Sequence, residues 1–121
     1  MKICYLGNAR SIHTQRWVTH FAGRGHTVHL ISLRDEDRAL LPAVQLHPLR
    51  VIRRKNERGF PAGIREIIRG VNLISVILQV RVIVGRVAPD LVHAHSVSDN
   101  GLFAALTGFH PLVLTGWGSD I

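Results

Sequence analysis

Short apolar runs alternate along this chain with longer stretches whose apolar residues recur at helical spacing. That alternation constrains the fold more than any other feature of the sequence. Lys2–Leu6 is a short apolar run followed by Gly7 and Asn8, which reads as a buried strand. Ser11 can cap a helix reaching about Arg24, with Trp17, Val18, Phe21 and Ala22 as its apolar stripe. Gly25 fits the left-handed residue that stops it. Residues 26–32 read as a second strand and 34–38 as a charged turn. Residues 44–49 form a weak third strand, where Pro48 marks an edge position or the end. From Gly63 to about Val87 the residues Ile64, Ile67, Ile68, Val71, Ile74 and Leu78 fall at helical spacing. Arg65, Glu66, Arg69 and Asn72 take the other face of this long helix, and Pro89 closes it. A fourth strand over 90–95, a short helix over 98–107 that stops at Gly108, and a fifth strand over 111–115 complete the pattern.

Strands that alternate with helices through short connections imply a mostly parallel sheet covered on both sides. Right-handed crossovers then make the arrangement doubly wound. The expected fold is α/β: a doubly wound, mostly parallel five-stranded Rossmann-like sheet with helices on both faces. Its expected strand order is 3-2-1-4-5, in one domain over residues 1–121, and such sheets bind ligands at the carboxyl ends of their strands.

Composition narrows the function classes. A single cysteine, Cys4, excludes a disulfide framework within the chain and a Cys-rich zinc site. The first ten residues lack the apolar stretch and cleavage site of a signal peptide. The apolar segment 71–84 is broken by Asn72, Ser75, Gln79 and Arg81, and it is shorter than the ~20 residues of a membrane span. The expectation is therefore a cytoplasmic protein, or one peripheral at the inner face of the membrane. The formal net charge of +7 is uneven: residues 50–69 hold seven basic side chains against Glu57 and Glu66, and so carry +5 of it. A nucleic acid, an anionic membrane surface, an anionic substrate and a merely solvated loop all fit that segment, with Arg53, Arg54 and Lys55 as its centre. Against nucleic acid, it offers only Phe60 for base stacking.

The chemically interesting clusters all follow strands. After the first come Gly7, Asn8, Arg10, Ser11 and His13, with Arg16 and Trp17 one turn into the helix. The helix start offers N–H groups and a positive dipole end to phosphate or carboxylate. An ordinary capped helix with exposed polar residues is the plain alternative. Neither G-x-G-x-x-G nor the P-loop pattern is present, which counts against a dinucleotide enzyme or an ATPase. After the fourth strand stand His93 and His95, on one face of the strand because its side chains alternate. A zinc ion would need a third ligand that the neighbourhood does not supply, so no metal is expected. A polarising or hydrogen-bonding histidine and a satisfied structural one remain. After the fifth strand come Trp117, Gly118, Ser119 and Asp120, where Asp120 could accept hydroxyl hydrogen bonds, act as a base or cap a helix.

Taken together, KICYLGNARSIHTQRWVTHFAGRGHTVHLIS, PDLVHAHSVSDNGLFAAL and PLVLTGWGSDI resemble the amino-terminal domain of family 4 (group 1) glycosyltransferases of the GT-B fold. The resemblance covers most of the chain outside 34–88. It implies a retaining, hexosyltransferase-like enzyme without a metal or other cofactor, moving a sugar from a nucleotide-sugar donor to a glycan, lipid-linked or other hydroxyl acceptor. This domain would hold the acceptor, and a carboxy-terminal domain with a Glu-x7-Glu segment, absent from this sequence, would grip the nucleotide. The chain would then be a fragment of a two-domain enzyme, inactive alone. By position, His95 would be the catalytic residue facing the donor sugar and phosphates. Gly7, Asn8, Arg10, His13, Arg16, Gly118, Ser119 and Asp120 would line the cleft. Where family members often have His-Gly, this chain has Trp117-Gly118, and Trp117 could stack on a sugar ring. The basic loop and the helix from Gly63 fall where related enzymes often meet anionic membranes. The competing reading is a non-enzymatic Rossmann-like module that binds an anionic ligand, a membrane surface or nucleic acid through residues 50–69. A small metallohydrolase built on His93 and His95 is the remaining alternative.

Overall fold

The computed structural model describes residues 1–32, 42–52, 59–97 and 99–116. Five strands, β1 (Lys2–Leu6), β2 (Thr27–Ser32), β3 (Gln45–Pro48), β4 (Leu91–His95) and β5 (Leu112–Thr115), form one sheet in the order β3-β2-β1-β4-β5. Every pairing is parallel, with Leu6 opposite Ile31 on one side and opposite Ala94 on the other. Among the described residues, α1 (Ile12–Gly23) joins β1 to β2, α2 (Ala62–Val87) joins β3 to β4 and α3 (Asp99–Leu106) joins β4 to β5. The chain is thus the doubly wound α/β Rossmann-like fold expected from the alternation of its elements. Pro48 ends β3, which is an edge strand, where a missing N–H costs no ladder bond.

Side-chain alternation divides the sheet between two cores. Ile3, Tyr5, Val28 and Leu30 pack with Val18 of α1 on one face. Cys4, Leu6, Ile31, Val92 and Ala94 pack with Val76, Val80 and Val84 of α2 and with Phe103 and Ala104 of α3 on the other. Burial raises the Cys4 thiol to about 12, so this cysteine is an inert core residue. Gly25, at φ +89°, is the left-handed residue that turns the chain from α1 into β2. Ser11 precedes α1 but makes no side-chain capping bond, contrary to the expectation for it. The turn is closed instead by Asn8, whose side-chain Oδ1 accepts from the Arg10 N–H and whose carbonyl accepts from the Ser11 N–H.

The long helix corrects the sequence reading. The side chains of α2 that pack into the core with the sheet are Val76, Val80 and Val84, with Ile77 and Ile83 partly buried against it. The stripe expected to do so lies outside instead: Ile64, Ile67, Val71, Ile74 and Leu78 are exposed, Ile67 by 67%. The sequence holds two apolar stripes on opposite sides of one helix, and periodicity cannot say which of them faces inward. Length decides it. A helix of 26 residues is about 39 Å long, while five-residue strands span roughly 17 Å. Only the carboxyl half of α2 lies over the sheet, and its amino half overhangs. Two carboxamides of α2 hold the segment that leads out of β3. Gln79 exchanges hydrogen bonds with the backbone of Arg50 (2.9 and 2.8 Å), and Asn72 does the same with Ile52 (2.8 and 3.0 Å).

These two stripes predict opposite mutational costs. Val80→Ala removes buried methyl groups and is expected to cost about 2 kcal/mol in urea unfolding. Leu78→Ala, on the outer stripe, is expected to stay within about 0.5 kcal/mol of the parent. Equal losses at both positions would mean that the outer stripe also packs within the fold.

Candidate functional site

The parallel register brings the carboxyl ends of β1 and β4 together, and the site is built where they meet. Gly7 follows β1 and donates its N–H to the Ile31 carbonyl. A Cβ placed on it would stand 3.1 Å from both the Oγ1 and the Cγ2 of Thr14 and 3.5 Å from the Cβ of His95. A side chain here would push on both neighbours, so glycine is required for close approach rather than for an unusual φ. Asn8, Arg10, His13 and Arg16 are exposed around this turn and along the first turns of α1. The loop is tied down by the Ala9 N–H donating to Ser32 Oγ and by the Gln15 amide donating to the Ala9 carbonyl.

His93 and His95 lie on the α1 face of the sheet, on the same side as expected, and both are buried, His95 to 2% exposure. Each ring is paired with a threonine: His95 Nδ1 is 3.2 Å from Thr14 Oγ1, and His93 Nε2 is 2.6 Å from Thr115 Oγ1. The edges of both rings meet Trp17, at centroid distances of 5.1 and 5.8 Å, and Tyr5 lies 5.1 and 5.3 Å away. Burial among these rings holds His95 in its neutral form. Desolvation is the main cause, the positive charges of protonated His93 and His13 add to it, and together they bring its pKa down to about 4. Burial lowers His93 in the same direction. Beside this cluster an open groove of about 380 Å³ is lined by Arg16, Trp17, His20 and Phe21.

The structure therefore brings together Gly7, Asn8, Arg10, His13, Arg16 and His95 at one edge of the sheet. Trp117, Gly118, Ser119 and Asp120 lie outside the described residues, as do Arg53, Arg54 and Lys55. Among the described residues no group of three or more His, Cys, Asp or Glu side chains converges on a point that could hold a metal ion. Thr14 escapes the sequence reading, and Thr115 enters it only within the motif PLVLTGWGSDI, without a role. Thr14 carried a signal, because it stands four residues before the fully buried Val18 and so on the inward side of α1. A hydroxyl on an apolar helix face needs a partner in the sheet. His29 and His47 pair with each other across neighbouring strands at 2.9 Å.

A five-stranded parallel sheet with polar side chains at the carboxyl ends of its central strands is a Rossmann-like α/β domain. The sequence profile of the glycosyl transferase 4-like family matches residues 2–121, and the chain belongs to that family. No match was found among curated proteins.

Acid should unfold this domain through its buried imidazoles. The folded pKa of His95 lies below the ordinary 6.5, so the unfolded chain binds more protons between about pH 4 and 6.5. Stability is then full above pH 6.5 and falls as the pH drops toward 4. His95 alone accounts for on the order of 2–3 kcal/mol of that fall. Urea midpoints at pH 7 and pH 5 should differ by correspondingly less in His95→Gln than in the parent.

Proposed function

We propose that this chain is the acceptor-holding domain of a two-domain, retaining glycosyltransferase of GT-B architecture. The enzyme would take a hexose from a nucleotide-sugar donor and pass it to a hydroxyl of a glycan or lipid-linked acceptor, without a resident metal. The observation that carries this reading is the family match over residues 2–121, almost the whole chain. The geometry supports it at the strand ends. Asn8 is exposed at the turn, and Arg10, His13 and Arg16 set cationic and hydrogen-bonding groups around it. His95 forms the floor beneath them. In this reading a nucleotide-gripping domain closes over that edge, and the neutral imidazole steadies charge on the donor as the glycosidic bond breaks. The groove of Arg16, Trp17, His20 and Phe21 gives an acceptor an apolar ring face beside a guanidinium.

Two measurements test it. Titrating the isotope-labelled chain with hydroxyl-bearing glycans should move the amide resonances of Gly7, Asn8, Arg10 and His13. Nucleotide sugars at the same concentrations should not. Saturable shifts caused by the nucleotide sugar alone would make this the donor side and overturn the assignment. In the intact two-domain enzyme, His95→Ala should abolish sugar transfer, and a wild-type rate would remove His95 from the mechanism.

One further observation favours a location at a bilayer surface. The α2 helix is long and apolar enough by length and composition to cross a membrane, but its Val76, Val80 and Val84 face is taken by the sheet. That leaves the outer stripe of Ile67, Val71, Ile74, Leu78 and Val82 exposed. Arg81 and Arg86 flank the stripe, and the helix carries a single acid, Glu66, paired with Arg69 at 2.9 Å. An apolar ridge bordered by arginines fits the interface of an anionic bilayer, with the helix lying flat on it. The chain should cosediment with vesicles containing phosphatidylglycerol and not with pure phosphatidylcholine. Binding should be lost in the Ile67→Ser, Ile74→Ser, Leu78→Ser triple variant. Undiminished binding by that variant, or a concentration-dependent dimer in place of binding, would refute the membrane contact.

A further inference from the structure

Thr14 is 1% exposed, and its hydroxyl meets one hydrogen-bonding partner among the described residues, Nδ1 of His95 at 3.2 Å. A hydroxyl carries one proton and two acceptor sites. Two arrangements satisfy the distance. If Nδ1 carried the imidazole proton, Thr14 would accept it and its own O–H would be left buried without an acceptor, at a cost of about 1–3 kcal/mol. If Thr14 donates, its proton and the Nδ1 lone pair are both used, and the imidazole proton must sit on Nε2. The second arrangement leaves no polar atom of Thr14 wanting.

We propose that Thr14 is a positioning residue that donates its hydroxyl proton to Nδ1 of His95 and holds the buried ring as its Nε2–H tautomer. The ring then offers a hydrogen-bond donor at Nε2, and a proton taken up at Nδ1 would turn the Thr14 hydroxyl from donor to acceptor and leave its own O–H without an acceptor. For the transferase proposed above, on which this consequence rests, His95 steadies developing negative charge as a donor dipole and is not a general base. The setting agrees. The imidazole is enclosed by the rings of Tyr5, Trp17 and His93, and desolvation is the first cause of its depressed pKa. Gly7 belongs to the same device, because a Cβ there would stand 3.1 Å from both branches of the Thr14 side chain. The absent side chain at 7 keeps the hydroxyl aimed at the ring. Thr14 is β-branched and inside a helix, so few rotamers are open to it.

The test needs no enzymatic activity and uses this chain as it stands. Long-range proton–nitrogen spectra of the labelled histidine rings at pH 7 report which ring nitrogen is protonated and whether the other accepts a hydrogen bond. The His95 proton is expected on Nε2, with Nδ1 showing the signal of a bonded acceptor. Thr14→Val keeps the shape and removes the donor, so Nδ1 should move to the position of an unbonded nitrogen. Thr14→Ser should restore it, and Gly7→Ala should perturb it with the hydroxyl still present. Backbone amide spectra establish that each variant is folded. A wild-type proton on Nδ1, or an Nδ1 resonance unmoved by Thr14→Val, overturns the assignment of Thr14. In the intact enzyme, Thr14→Val should lower kcat with KM nearly unchanged and Thr14→Ser should recover it. Absence of sugar transfer in every form, with the spectral pattern intact, would instead count against the transferase reading alone.

Discussion

The strand β1 is hydrogen-bonded on both edges, to β2 and to β4, and is covered on both faces. Cys4 and Leu6 lie in the α2 and α3 core, and Ile3 and Tyr5 in the α1 core. Four consecutive residues therefore have no access to water, and none can carry exposed polar chemistry. Polarity is pushed to the point where the strand stops. Gly7 is the first residue beyond it, and the parallel register sets His95 beside it on β4. The site follows from that arrangement: one strand too buried to react, and a neighbour in register with it.

Most of this was legible in the residues. The alternation of elements specified the sheet order and the parallel pairing, because short connections and right-handed crossovers leave little choice. The common face of His93 and His95 followed from the pleat. The inward side of α2 did not, because two stripes of equal periodicity run along it. Ile67, Ile74 and Leu78 present larger apolar surfaces than Val76, Val80 and Val84, so size pointed to the wrong side. Only the carboxyl half of α2 lies over the sheet, and Val76, Val80 and Val84 are the side chains that this half turns inward. The partnership of Thr14 with His95 spans 81 positions: the inward place of Thr14 on α1 calls for a partner in the sheet, and nothing local names His95 as that partner.

The two buried histidines share a design. Each ring rests against Trp17 and Tyr5 and is bonded to a threonine hydroxyl, His95 from helix α1 and His93 from strand β5. Hydroxyls can donate or accept, so they satisfy a neutral imidazole without a carboxylate that would favour its charged form. A histidine set among hydroxyls and aromatic rings is suited to dipolar work at constant charge.

The carboxamides of Asn72 and Gln79 grip only the backbone of Ile52 and Arg50. A grip on the peptide groups is indifferent to the side chains it holds. Residues 50 and 52 can therefore exchange charge for bulk, or one sign for another, without loosening the segment from the helix. Asn72 and Gln79 have no such latitude, because shortening or lengthening either amide by one methylene would break both of its bonds. Across descendants of this sequence, the charge leaving β3 should drift freely while its point of attachment stays fixed, so one scaffold could be retuned to different surfaces by substitution alone.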